Sequence, residues 1–490
     1  MQMDDSLFSD FVAALRAGGP DSLRNGLIGE GAPIPGPFGV KPLVYADYVA
    51  SGRALKPVED FVLEHVLPYY ANSHTEASFC GAYMTRMRQA ARAHVARLCG
   101  AGAGFSTVFC GSGATAGLNR LVYLLGVPEA ARAGARPVVF IGPYEHHSNI
   151  LPWRESGAEV ITIGEAAHGG PDLGQLGTAL AATDPARLRI GAFSAASNVT
   201  GIITDVDAVT GVLRSHGALS VWDYAGGGPY LPISMRAGTP YEKDAVVISA
   251  HKFVGGPAAS GIMIVRDAAA VRTCPVLTGG GTVRFVSPWG HDYATSLQSR
   301  EEAGTPDVIG DIRAALAFLV KDAMGQNWLD ARHHALRARA EQVWRHNPHI
   351  GIVGNARAQH ALPIFSFRVH ADAAGAMVHQ QLFTRMLSDV YGIQARGGCA
   401  CAGPYAHSLL DISHDQSDAL RQAILNGEEI CKPGWTRLNF CALMTDDKAD
   451  FIIRSVDELA RNPGPMMQAY MCDPKTARFR AEGAPGMGGR

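Results

Sequence analysis

The sequence predicts an α/β fold built on a mostly parallel sheet, and two observations carry that reading. Near-continuous apolar runs alternate with helical patterns, and small, polar or charged residues follow the ends of those runs. Runs that are apolar throughout belong to strands buried on both faces, and such strands need helices to cover them. The runs lie at 43–46, 107–110, 137–141, 159–163, 188–193, 219–222, 245–248 and 262–265, with helical patterns such as 114–125 and 206–216 between them.

The flanking elements follow from local chemistry. Leu7, Phe8, Phe11, Val12 and Leu15 stand at helical spacing, and a Gly/Pro-rich stretch follows over 29–42. A helix is expected over 306–324, with Thr305 as its cap and Pro306 in its first turn. It leads into a second domain that mixes helices with strands such as 364–369 and 436–440. The expected organisation is an arm over 1–44, a large domain over 45–309, a small α+β domain over 310–465, and a loose Gly/Pro/Arg-rich tail over 466–490.

At 490 residues and 47% hydrophobic content the chain can bury a large core in two domains. Its formal charge of −2 points to neither nucleic acid nor a membrane surface as partner. No apolar run reaches the roughly 18 residues of a membrane span, and the N-terminus lacks the basic start of a signal peptide. Nine scattered cysteines read as reduced thiols, so a cytoplasmic protein is expected.

Chemistry-bearing residues sit after the runs. Ser249-Ala250-His251-Lys252 follows 245–248. A lysine there is either a surface charge or an amine that holds an aldehyde cofactor as a Schiff base. Gly111-Ser112-Gly113-Ala114-Thr115 joins a strand to a helix: an ordinary turn, or a cradle of N–H groups and a hydroxyl for a phosphate. His146, in Glu145-His146-His147-Ser148-Asn149, is a hydrogen-bonded structural residue or a ring that stacks on a cofactor. No carboxylate or cysteine stands at metal-ligand spacing beside it, so no metal is assigned. Asn198 follows 188–193 and Asp223 follows 219–222. Asp223 is a turn cap, or the partner that keeps a pyridine nitrogen protonated.

Taken in order, these turns resemble the class V aminotransferase group of pyridoxal-phosphate enzymes, from Tyr45 to about Ile453. The motif Glu-His-His-x-Asn is matched at 145–149, with Pro152-Trp153 following as in desulfurases. The resemblance implies fold type I, with a large seven-stranded, mostly parallel sheet domain and a smaller α+β domain. It implies that His146 stacks on the cofactor ring, Asn198 touches its phenolic oxygen and Asp223 pairs with its nitrogen. Ala114, Thr115, Ser249 and His251 would hold the phosphate and Lys252 the aldehyde. Gly279-Gly280-Gly281-Thr282 resembles the segment by which Thr282 completes the phosphate site of a second subunit, so a homodimer is implied. One departure stands out: Asp223-Tyr224-Ala225 is followed by Gly226, where desulfurases usually carry a Gln.

The reaction depends on the small domain. Cysteine desulfurases carry Arg-x-Gly-x-x-Cys-Ala-x-Pro, matched by Arg396, Gly398, Cys401, Ala402 and Pro404. An arginine near a thiol in a glycine-rich loop favours the thiolate. Cys399 and Cys401 also admit a metal pair or two inert core thiols. By resemblance Cys401 is the nucleophile and Arg437 clamps the substrate carboxylate. The two-cysteine motif, the segment 409–431 and Thr436-Arg437-Leu438-Asn439-Phe440 are similar to the desulfurase domain of molybdenum-cofactor sulfurases. The chain is expected to stop short of their carboxy-terminal domain, which leaves the sulfur acceptor a separate molecule.

Three readings follow. In the first, sulfur leaves L-cysteine as a persulfide on Cys401 and alanine is released. The second is another class V enzyme that does not use Cys401: a carbon–sulfur lyase, selenocysteine lyase, aminotransferase or epimerase. The third is a non-catalytic scaffold. The Arg437 clamp serves cysteine, selenocysteine and cysteine sulfinate alike.

Overall fold

A computed structural model describes residues 3–73, 76–371 and 375–481, with side chains from residue 6 onward. The chain forms two compact units. The first comprises Met1–Ile28, Ala50–Ser197 and Ile203–Leu329; the second comprises Gly29–Val49, Asn198–Ile202 and Asp330–Arg490.

The first unit is organised by a seven-stranded sheet. Its strands are β1 (Phe105–Gly111), β2 (Val138–Ile141), β3 (Glu159–Thr162), β4 (Arg189–Ser194), β5 (Leu219–Asp223), β6 (Ala245–Ser249) and β7 (Gly261–Arg266). The spatial order is β1-β7-β6-β5-β4-β2-β3. All pairings are parallel except those of β7, which runs antiparallel to β1 and β6. Every residue of β2 and β6 is buried, which is why these strands read as unbroken apolar runs. The eighth expected run departs from this. Val44–Tyr45 belongs to the second unit and pairs in parallel with Ile393–Gln394.

Helices cover the sheet. The amphipathic start of the chain is the beginning of a longer helix, α1 (Met3–Asn25), kinked at Gly19–Pro20, with Phe8 fully buried against Phe61. Further along come α2 (Gly113–Leu124), α3 (Val206–Ser215) and α4 (Val308–Met324). The expected start of α4 is corrected: Asp307, not Thr305, is its cap and accepts from the Gly310 N–H at 2.9 Å. Pro306 precedes the cap. A carboxylate is the stronger acceptor at a helix start, and glycine at 310 gives it room.

The second unit holds a five-stranded antiparallel sheet of β8 (Ile350–Ile352), β9 (Ile364–His370), β10 (Met377–Val378), β11 (Arg396–Gly398) and β12 (Trp435–Asn439). The order is β8-β9-β12-β11, with β10 on β9. Helices α5 (Gln380–Tyr391), α6 (Gly403–Leu409) and α7 (Asp446–Arg461) belong to it. Part of the tail expected to be loose over 466–490 instead forms a hairpin, Tyr470–Asp473 with Arg478–Ala481. Phe479 packs on the His379 ring and Tyr470 donates to Asp389, which pins the hairpin to α5. Residues 482–490 lie outside the described ones. Among the described residues, no helix is long and apolar enough to cross a membrane.

Candidate active site

In the first unit, several of the predicted cofactor residues stand at strand ends and are held there by local hydrogen bonds. The turn between β1 and α2 places Gly113 at φ +60°. A Cβ there would lie 2.9 Å from Ser249 Oγ and 3.0 Å from His251 Cε1, so only glycine lets α2 approach the end of β6 this closely. The Ala114 N–H donates to Ser249 Oγ at 2.9 Å. Thr115 Oγ1 lies 2.7 Å from Ser148 Oγ, and Ser148 Oγ lies 3.1 Å from His146 Nδ1. The Ser148 N–H donates to the same Nδ1, which places the ring proton of His146 on Nε2. Two hydrogen-bonded sets thus meet at the start of α2: Ala114 with Ser249, and Thr115 with His146 through Ser148, while His251 lies beside Gly113. No pattern in the sequence marks Ser148 for this part.

Lys252 lies in the single turn Ala250–Lys252 after β6. The Gly52 N–H donates to His251 O and steadies that turn. Burial and then the Lys252 charge pull the His251 pKa below the ordinary imidazole value. Asp223 is 3% exposed at the end of β5, and Ala225 N–H donates to its Oδ1 at 2.7 Å. Burial raises its pKa, opposed by that hydrogen bond and by the Lys252 charge. A buried carboxylate held this way is satisfied by a cationic partner. Gly226, in the turn that follows, has no side chain to replace the usual Gln.

Glu145, the first residue of the Glu-His-His-x-Asn motif, is a hub whose role no local pattern marks. Its Oε2 accepts from Asn149 Nδ2 at 2.5 Å and pairs with Ser194 Oγ at 2.7 Å, while Oε1 accepts from Ser194 N at 2.9 Å. Trp153 Nε1 donates to Asn149 Oδ1 and locks the motif's Asn and Trp together. Burial pushes the Glu145 carboxyl up to about 7, with the nearby Asp223 charge acting in the same direction. The folded value lies above the unfolded one. Stability from this group is therefore complete below about 4.5 and is lost as pH rises to about 7. Glu145→Gln is expected to flatten that fall, raising stability above pH 7 relative to acid pH by up to about 3 kcal/mol against the parent. Thermal unfolding of both proteins from pH 5 to 8 checks this; parallel curves would count against it.

Thr282 is fully buried, and its hydroxyl donates to Gly279 O at 2.7 Å within its own turn.

In the second unit Arg437 and the strand that leads into the cysteine loop are neighbours in the sheet. Arg437 on β12 stands directly opposite Arg396 on β11 in the antiparallel register. Two guanidinium groups so placed repel each other. Asp47 lies between them, with Oδ1 2.8 Å from Arg437 Nη2 and Oδ2 2.9 Å from Arg396 Nε. Asn198 joins the same network: its carbonyl accepts from Arg437 Nη1 at 3.2 Å and its Nδ2 donates to Ala400 O at 3.0 Å. After β11 the chain turns through Ala400 (φ +54°) and Cys401 (φ +56°) before α6 begins. Two successive non-glycine residues in the left-handed region are costly, which marks the loop as held by its surroundings. Cys401 is exposed and Cys399 is half-buried. Among the described residues, no three His, Cys, Asp or Glu side chains are grouped to hold a metal.

Residues 44–432 match the model of the Aminotransferase class-V family. The chain is 30% identical to a probable cysteine desulfurase of Vibrio cholerae over 367 residues, covering 74% of this chain and 85% of the relative. It is 26% identical to a probable cysteine desulfurase of Streptomyces coelicolor over 370 residues, covering 74% and 84%. A cysteine desulfurase structure from Escherichia coli superposes with a TM-score of 0.70 at 23% identity, covering 90% of this chain and 98% of that one. The sheet order, the group of turns at the strand ends and these matches agree: the chain belongs to the class V aminotransferase family, and within it is cysteine desulfurase-like.

Proposed function

We propose that the protein binds pyridoxal 5'-phosphate and transfers the sulfur of L-cysteine to Cys401, releasing alanine. The residues fit the cofactor. Ala114, Thr115, Ser249 and His251 would hold its phosphate, His146 its ring face, Asp223 its nitrogen and Lys252 its aldehyde. When bound, the cofactor supplies an electron sink for the substrate's Cα. Arg437 takes the substrate carboxylate as a guanidinium fork. Lys252 removes the Cα proton. The Cys401 thiolate attacks the substrate sulfur: an S–S bond forms, the C–S bond breaks, and its electron pair stays on Cβ, which is protonated; Lys252 returns a proton to Cα and alanine is released. The outer sulfur of the persulfide then passes to an acceptor nucleophile, with the Cys401 thiolate as leaving group.

The observation that carries this reading is an exposed Cys401 on the loop leaving β11, the strand paired with the one that bears Arg437. A lyase or transaminase has no use for that thiol. Incubation with L-cysteine distinguishes the readings: alanine and a Cys401 persulfide support desulfuration, pyruvate with ammonia a β-lyase, and a keto acid a transaminase. No turnover and no bound cofactor would favour the scaffold.

We further propose a cytoplasmic homodimer. Nine free thiols suit a reducing compartment. Directly after Thr282, the hairpin Val283–Ser287 and Gly290–Tyr293 exposes Phe285, Val286 and, at 92%, Trp289. Such a group of apolar side chains suits a protein partner, and a second copy fits the resemblance. Trp289→Ser is expected to weaken self-association by about tenfold or more, read as a concentration-dependent mass by light scattering. An unaltered dimer would remove the hairpin from the interface.

A further inference from the structure

We propose that Asp47 is a positioning residue that couples occupation of Arg437 by a substrate carboxylate to the setting of the Cys401 loop. The inference rests on the reading of Arg437 as the carboxylate clamp. Each oxygen of Asp47 serves one arginine: Oδ1 serves Arg437, whose side chain is 4% exposed, and Oδ2 serves Arg396, whose side chain is 51% exposed. Two guanidinium groups and one carboxylate carry a net single positive charge, the charge that an amino acid's carboxylate neutralises. An incoming carboxylate on Arg437 competes with Asp47 Oδ1, and Asp47 then turns its charge to Arg396.

Arg396 begins β11, and the chain leaves that strand through Cys399, Ala400 and Cys401. A second tie runs the same way, because Asn198 accepts from Arg437 through its carbonyl and donates to Ala400 O through its amide. The arginine that reads the substrate is thus joined to both the entry and the crest of the cysteine loop. A loop with two left-handed residues has few alternative settings, so a change in its ties shifts it between states rather than bending it smoothly.

The test is the rate of Cys401 alkylation by iodoacetamide in the cofactor-loaded protein, followed by peptide mass spectrometry, with and without saturating L-alanine. Alanine brings the carboxylate but no sulfur, and its binding is read separately from the cofactor's absorption. In the parent protein alanine is expected to slow alkylation about fivefold or more, the low end of coupling between two sites. In Asp47→Asn the slowing disappears while alanine still binds. Arg396→Gln, at an exposed side chain, carries the same expectation should Asp47→Asn fail to fold. Slowing that persists in the variants, or that is absent from the parent despite bound alanine, overturns the coupling. Failure of alanine to bind the parent overturns the reading of Arg437 and the coupling with it.

Discussion

Cys401→Ser is expected to lower alanine formation from L-cysteine by roughly 10³-fold, about 4 kcal/mol in the barrier. A serine hydroxyl cannot form the sulfur–sulfur bond that frees the substrate carbon. The same variant keeps Lys252, Asp223 and Arg437, so the proposed early proton chemistry is expected to survive. Exchange of the Cα proton of L-alanine with deuterated water is therefore expected to stay within about twofold of the parent. Alanine production at the parent's rate would remove Cys401 from the reaction and favour a class V enzyme without a cysteine nucleophile. Cys401 is exposed, so a folding defect is not expected to obscure the result.

Lys252→Ala has a different signature. Removing the amine takes away the proposed base at Cα, and positioned proton transfer contributes about 10²–10⁴-fold. Exchange of the alanine Cα proton is expected to fall by about that factor, measured by NMR in deuterated water. Alanine production from cysteine falls with it. Exchange unchanged in Lys252→Ala would assign the base elsewhere. Together the variants separate the two proposed steps: one loses sulfur transfer and keeps proton exchange, and the other loses both.

The large sheet was legible because burial on both faces leaves no room for polar residues. Seven of the eight apolar runs are strands of it, and their limits differ from the expected ones by a residue or two. The eighth, at Val44–Tyr45, was too short for the sequence to say which sheet it joins. The cofactor group was legible for a related reason. Ser249, Lys252 and Asp223 stand where buried strands end, the places where an open α/β sheet binds ligands. Glu145 stood in the quoted motif, yet its role was hidden, because its partner Ser194 lies on another strand.

The sequence by itself determined the architecture of the sheet, the order of the turns at its strand ends, and the cysteine motif with its companion arginine. These features are local: each is written in a run of a few residues whose burial or turn chemistry admits little else. Only the tertiary structure decided what Asp47 does. It stands 349 positions from Arg396 and 390 from Arg437, and no local pattern links the three. They meet because antiparallel pairing sets two arginines face to face, and a buried carboxylate between them is what makes that register tolerable.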